Sequence, residues 1–223
     1  MNDDLLERTV NSGWKSVIDK IINIITILLI ILLAGAIIVY MFFRPYYIKG
    51  ESMLPTIESG KTIVASTVSG NAERGDVVII DTSVNNTLIL DESNYIIKRV
   101  VAVGGDKIGF VYNENKTAYY LYINSGDGFK KMSEPYLKEE MTRTDEIFNG
   151  IEICEDITQI EHKFIEIKIG NVFVMGDNRN ESADSRKFGQ FSLNAVKGKL
   201  LFQLEKNGLG EFVFKMLFRN NLS

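Results

Sequence analysis

Ser52 stands in Gly50-Glu51-Ser52-Met53-Leu54-Pro55-Thr56, and its hydroxyl is a nucleophile in waiting if some base can take its proton. The chain offers few bases. His162 is the only histidine and Cys154 the only cysteine. A Ser-His-Asp triad, like most zinc sites, would have to use His162. That residue sits in the charged strip Glu161-His162-Lys163, at the start of a stretch that reads as a strand, and is expected to be solvated. Cys154, between Ile153 and Glu155, reads as a small packing residue, and one cysteine allows neither an internal disulfide nor a cysteine metal cluster. The acidic residues show no EF-hand spacing. No metal and no cofactor are expected.

A lysine base remains. Lysine takes a proton from serine only when neutral, and its reference pKa is about 10.4. Working near neutrality therefore needs a depression of roughly three units, about 4 kcal/mol, for which apolar burial is the usual means. The conspicuous candidate is Lys98 in Tyr95-Ile96-Ile97-Lys98-Arg99-Val100-Val101. In so apolar a strand this side chain either reaches water or gives up its charge, and the sequence leaves both open. Around Ser52, Gly50 allows close backbone approach, and Pro55 with Thr56 stiffens the segment beyond the serine.

The elements that position these groups divide at about residue 43. From Ile21 to Phe43 run 23 residues without a charge, with Asn23 and Thr26 the only clearly polar ones. As a helix they would span about 34 Å, slightly more than a bilayer's hydrocarbon core. Trp14 before the run and Tyr46 and Tyr47 after it suit interfacial belts. Ala34-Gly35-Ala36 has the form of a processing site, but the apolar run continues through Ile37 to Phe43, so an uncleaved anchor is the reading adopted. Arg8, Lys15 and Lys20 before the span balance Arg44, Lys49 and Lys61 after it, so charge does not fix its orientation. Residues 1–20 read as an amphipathic lead-in or a partly ordered tail.

Beyond Pro45 the texture is β: Thr62–Ser66, Asp76–Asp81, Tyr95–Val103, Lys107–Tyr112, Ala118–Asn124, Phe164–Ile169, Val172–Met175 and Lys199–Leu204 are rich in β-branched and aromatic residues. Gly104-Gly105-Asp106 and Ser125-Gly126-Asp127-Gly128 read as turns. The expected fold is mostly β, an antiparallel sheet domain with a small insertion, preceded by one transmembrane helix. The insertion is placed near 107–170, its most polar part at 125–161, with a short helix at Tyr136–Met141. The apolar Phe212–Phe218 is too short to span a membrane. A net charge of −4 with no basic excess gives no reason to expect nucleic acid as a partner.

Four blocks occur in order: Ser52-Met53-Leu54-Pro55-Thr56; Arg74-Gly75-Asp76-Val77-Val78; Lys98-Arg99-Val100-Val101 with Gly105-Asp106; and Gly176-Asp177-Asn178-Arg179-Asn180-Glu181-Ser182-Ala183-Asp184-Ser185-Arg186. Behind an N-terminal anchor, they resemble bacterial type I signal peptidases of the Gram-positive kind, membrane-anchored Ser-Lys proteases that remove signal peptides from exported proteins. The resemblance covers roughly Tyr46 to Leu204, and in the insertion it reaches little beyond Glu134-Pro135-Tyr136-Leu137. It implies Ser52 as nucleophile, Lys98 as general base and Ser182 as the hydroxyl that orients the lysine amine. It implies a structural network of Asp177, Asp184 and Arg186. Arg99, next to Lys98 on a strand, should face the other way. The oxyanion hole would use the Ser52 N–H. Gly50 replaces a serine hydroxyl that some relatives carry two residues before the nucleophile, so a donor at or near Gly50 must stand in. Ala102-Val103-Gly104 replaces the family's frequent Gly-Leu-Pro. Substrates with small residues at −1 and −3 would bind extended, in pockets lined by Ile48, Met53 and Ile97, unless those three are simply core.

On this resemblance residues 1–20 are cytoplasmic, 21–43 span the cell membrane, and 44–223 form an extracytoplasmic peptidase domain. The partners are pre-proteins emerging from the secretion machinery, and the lipid bilayer. Two alternatives remain: a LexA-like self-cleaving Ser-Lys protein, against which the membrane segment argues, and a catalytically silent anchored binding protein, against which the intact Ser52 and Lys98 argue. A peptidase of the sporulation or endoplasmic-reticulum type would carry histidine at position 98.

Ser52 lies nine residues past Phe43, a reach of about 30 Å even when fully extended. The serine is thus tethered near the bilayer if the span is real. A long flexible linker inserted after Tyr47 should impair cleavage of membrane-inserted precursors more than that of short soluble peptides; equal losses on both would refute the tether.

Overall fold

The computed structural model describes residues 3–67, 72–85, 94–144, 148, 150–205 and 208, with side chains described from Trp14 onward. Phe212–Phe218 lies outside these residues. The chain forms two compact units, Met1–Phe42 and Phe43–Ser223.

The first unit is one helix, α1 (Asp3–Phe42). Its stretch Trp14–Phe42 is long and apolar enough to cross a membrane, and none of it is buried in protein. Ile30, Leu32, Leu33 and Met41 are among many large apolar side chains that stand exposed there. At 1.5 Å per residue this stretch is about 43 Å long, so the apolar helix is more than sufficient for the hydrocarbon thickness. It ends one residue earlier than the sequence suggests: Phe43 is already strand.

The second unit is built of short strands, β1 (Phe43–Tyr47), β2 (Thr62–Ser66), β3 (Val77–Asp81), β4 (Tyr95–Val103), β5 (Lys107–Tyr112), β6 (Tyr119–Asn124), β7 (Lys130–Lys131), β8 (Ile153–Cys154), β9 (Ile165–Glu166), β10 (Asn171–Met175), β11 (Phe191–Ser192) and β12 (Val196–Gln203). One sheet has seven strands in the order β1-β2-β12-β3-β4-β10-β11; the smaller has the order β7-β6-β5-β8, with β9 also on β5. All pairings are antiparallel except β5 with β8. The β-branched runs of β3, β4 and β10 make the centre of the large sheet, where side chains of both faces are buried. On β3, Val77 and Ile79 join an apolar cluster with Ile48, Met53, Ile57, Ile63, Ala65 and Ile97, while Val78 and Ile80 join another with Val100, Val172, Val174, Phe191 and Val196. A third cluster, with Phe110, Tyr119, Leu121 and Met141, ties β4 and β10 to the smaller sheet.

The differences from the sequence reading are local. β1 is absent from that reading, because Phe43 reads as the end of the span and Arg44 and Pro45 as the break after it; Tyr46 packs against the core cluster around Ile63 rather than serving only as a belt. Tyr136–Met141 is not helical: Leu137 N–H donates to Glu134 O in a turn, and Met141 makes an isolated bridge to Tyr119. The expected strand Phe164–Ile169 shrinks to β9, and His162 closes a 3-10 helix, Ile157–His162, whose N-cap Asp156 accepts from Thr158 N–H. Cys154 is buried in a small cluster with Val111 and Ile160, as a packing residue should be.

Candidate active site

Ser52 sits in the irregular loop between β1 and β2, and Lys98 lies in the middle of β4. The fold brings them together across 46 residues: Lys98 Nζ is 2.8 Å from Ser52 Oγ. The amine also donates to the carbonyl of Ile97 at 2.9 Å, which fixes its direction from the backbone of its own strand. Lys98 is 4% exposed. Burial pushes its pKa from the usual lysine value down to about 8; Asp184 opposes the shift, Arg186 assists it and Asp177 opposes it. The exposed alternative left open by the sequence is thereby closed.

The neighbouring Arg99 has different partners, as strand alternation requires. Its guanidinium forks onto Asp177, Nε to Oδ1 at 2.7 Å and an Nη to Oδ2 at 2.6 Å, and donates to Gly75 O. It also lies 4.1 Å from the ring centre of Tyr136. Thr56 Oγ1 donates to the same Asp177 carboxylate at 2.5 Å, so this aspartate fastens the serine-bearing loop to β4.

The segment after β10 completes the site. β10 ends at Met175, opposite Arg99, and Gly176 follows. Asn178 N–H donates to Ser52 O at 3.0 Å, and Asn178 Nδ2 to Glu51 O. Asp184 and Arg186, neither with any exposed surface, form a forked pair. Burial alone would raise the Asp184 carboxyl, but Arg186 and the Gly176 N–H hold it below the ordinary carboxylate range. Arg186 also caps the carbonyls of Arg179 and Ser182 and reaches Tyr119 Oη. Arg179 is held by Glu134 of the insertion at 2.5 and 2.9 Å and donates to Gly176 O. Asp177 is thus tied to Arg99 and Thr56, and Asp184 to Arg186 and the Gly176 N–H.

Three expectations change. Ser182 Oγ is buried and makes no hydrogen bond to Lys98; it lies by the Asp184 carboxylate, which it helps to hold ionised, and the Ile97 carbonyl holds the amine. The Gly50 N–H is already donated to Ser59 Oγ at 3.2 Å, with Gly50 at φ +96, which takes it out of the set of open donors. The Ser52 N–H, by contrast, has no acceptor among the described residues. Met53, at 1% exposure, is core; Ile48 and Ile97, at 6% and 8%, keep a thin edge at the surface of the same cluster.

One functional residue escapes the sequence reading. A Cβ on Gly176 would lie 2.2 Å from Ser182 Oγ and 2.4 Å from Ser52 O, so only glycine lets these backbones close on each other. Its position at the head of the Gly176–Arg186 block is the available signal, but the contact that demands it joins three distant segments.

The family description "Signal peptidase, peptidase S26" matches residues 21–204. The signal peptidase IB of Staphylococcus aureus strain COL is 33% identical over 193 residues, covering 85% of this chain and 90% of that protein. The signal peptidase I of Bacillus caldolyticus is 31% identical over 165 residues, 72% of this chain and 79% of the other. A solved signal peptidase I from Enterococcus faecalis V583 is 23% identical with a TM-score of 0.37, covering 59% of this chain and 97% of that one.

Gly176→Ala should lower stability by about 1–3 kcal/mol, the usual cost of overpacking a closed site. The urea denaturation midpoint of the full chain measures this, and an unshifted midpoint would mean that the segments part without cost.

Proposed function

The chain belongs to the signal peptidases of the peptidase S26 family, serine endopeptidases that remove signal peptides, and from that premise we propose that Ser52 is its nucleophile and Lys98 its general base. The observation that supports the assignment is the 2.8 Å contact between a hydroxyl and an amine whose charge is weakened by burial. In the neutral form Lys98 Nζ accepts the Ser52 proton as Oγ attacks the scissile carbonyl carbon. The oxyanion that forms is received by the Ser52 N–H, which is uncommitted. The Lys98 ammonium then gives its proton to the leaving amine, and the C–N bond breaks. Water attacks the acyl-enzyme ester, Lys98 takes its proton, and the proton returns to Ser52 as the acid product leaves.

In this proposal Ile97 O aims the amine. Ser182 Oγ, buried and without a bond to Lys98 here, is a reserve partner that turns toward the amine during the reaction. Small side chains at −1 and −3 rest on the edges of Ile48 and Ile97, with Met53 behind them in the core. The substrates are pre-proteins met as they emerge from the secretion machinery. Residues 1–20 are cytoplasmic, the apolar helix crosses the cell membrane, and the β domain works on the outer side, with the insertion near 107–170 as its variable part. The family match sets aside the self-cleaving regulator.

Ser52→Ala and Lys98→Ala are each expected to reduce cleavage of a signal-peptide-bearing precursor by at least about a thousandfold. Because Lys98 must be neutral, kcat/KM should be low at pH 6 and rise to a plateau through a midpoint of about 8. Ser182→Ala should lower kcat more than it raises KM. Full cleavage by either the Ser52 or the Lys98 variant would overturn the assignment, and a flat profile between pH 6 and 9 would remove Lys98 as the titrating base.

A further inference from the structure

Beside the serine loop lies a small cleft of about 120 Å³, lined by Leu54 and Pro55 on one side, Lys138 and Glu139 on the other, and Asp177, Asn178 and Arg179 beneath. We propose that this cleft is a subsite for the second residue after the scissile bond, taking one compact polar side chain of the released chain. The proposal rests on the Ser52–Lys98 reading above and extends it to the leaving side of the substrate.

Position comes first. Asn178, in the floor, donates its N–H to Ser52 O, and Leu54, in the wall, is two residues beyond Ser52, so the cleft opens within about 7 Å of the serine along the chain. Of the apolar edges assigned to the acyl half, Ile48 precedes Ser52 in the chain and Ile97 lies on β4; both belong to a cluster that also takes in Met53 and Ile57 under the loop, whereas Leu54 and Pro55 line the cleft. In this proposal a substrate whose acyl half lies over Ile48 sends its other half past Ser52 toward Leu54 and Pro55. In an extended chain side chains alternate, so if −3 and −1 face the enzyme, the next to do so is the second residue after the bond.

Size and charge define what fits. At about 30 Å³ per water, the cleft holds about four waters, or one side chain of four to five non-hydrogen atoms. An indole exceeds this volume and would stand partly out of the cleft. The polar groups of the floor are committed: Asp177 to Arg99 and Thr56, and Arg179 to Glu134 and Gly176 O. The exposed rim is different. Neither Lys138 nor Glu139 has a hydrogen-bond or ion-pair partner among the described residues, so one cation and one anion stand ready at the mouth. Their opposite signs leave the cleft nearly balanced, tolerant of either charge until one of them is reversed.

The test uses full-length enzyme and precursor-derived peptides that are identical except at the second residue after the cleavage site, which is Ser, Asp, Lys or Trp. The wild type should cleave the Ser, Asp and Lys peptides with kcat/KM values within about threefold of one another, and the Trp peptide at least about tenfold more slowly. Lys138→Glu should lower the Asp-to-Lys ratio of kcat/KM by about fivefold and Glu139→Lys should raise it by about as much, with both shifts shrinking at 0.5 M salt. A ratio of rates is not moved by simple loss of folded enzyme. Equal ratios in all three enzymes, or a Trp peptide cleaved as fast as the Ser peptide, would overturn the subsite. Cleavage of the Ser peptide by Ser52→Ala would instead refute the underlying Ser-Lys reading, so the two failures are distinguishable.

Discussion

Taking the Lys98 amine out of water is the constraint around which the rest of this site is arranged. Moving its pKa from the ordinary lysine value to about 8 corresponds to about 3 kcal/mol favouring the neutral form. Burial alone does not secure that result, because two carboxylates, Asp184 and Asp177, lie close enough to pull the proton back. Each is claimed by a guanidinium: Asp184 by Arg186 and Asp177 by Arg99, both through two hydrogen bonds. The third nearby arginine, Arg179, would leave a surplus cation, and Glu134 of the insertion closes it in the same forked manner. Buried ion pairs contribute little net stability compared with apolar packing. Their arrangement here has another use, since three locally closed pairs fold the Gly176–Arg186 segment against the site while keeping much of its field away from the lysine.

The same segment solves a second problem, which is that Ser52 has no strand of its own. Its carbonyl accepts from Asn178 N–H, the preceding carbonyl of Glu51 from Asn178 Nδ2, and Thr56 is tied at its hydroxyl to Asp177 and at its carbonyl to Gln203 of β12. A loop fastened at four points can hold a hydroxyl to the tolerance that proximity effects demand. Gly176 is the condition for all of it. Without a Cβ, the backbone after β10 reaches the Ser52 carbonyl, and the Asp184 carboxylate can take the Gly176 N–H.

What is legible in the sequence comes from local composition. β2, β4 and β5 appear with the bounds their β-branched runs suggest, and β3, β6 and β10 within a residue, because central strands buried on both faces are written as continuous apolar runs. β1 is hidden because its first residue closes the apolar run and its next two are a charge and a proline. The stretch Tyr136–Met141 passes for helix because nothing local reveals that Glu134 and Tyr136, at the turn that leads into it, are engaged by Arg179 and Arg99 from other segments. The site divides in the same way. Ser52 and Lys98 can be named from residue type and resemblance, but their contact, the aiming carbonyl of Ile97 and the donation of Gly50 N–H to Ser59 are products of tertiary structure. Met53 shows the converse, since a residue beside the serine looks like a pocket wall until its burial is known.

The two ends of the serine loop are chemically unlike, and that asymmetry bears on what the site can cut. Toward Ile48 and Ile97 the surface is the thin edge of an apolar cluster that offers no charge. Toward Leu54 and Pro55 it is a shallow cleft with Lys138 and Glu139 at its rim. In the reading proposed above, a peptide bond that suits both follows small, uncharged residues and precedes a polar chain. The junction between an apolar leader and the start of a soluble protein has this character, and a bond inside either part does not. The nine residues between the end of the apolar run and Ser52 add a limit of reach, about 30 Å at most, to this condition on chemistry.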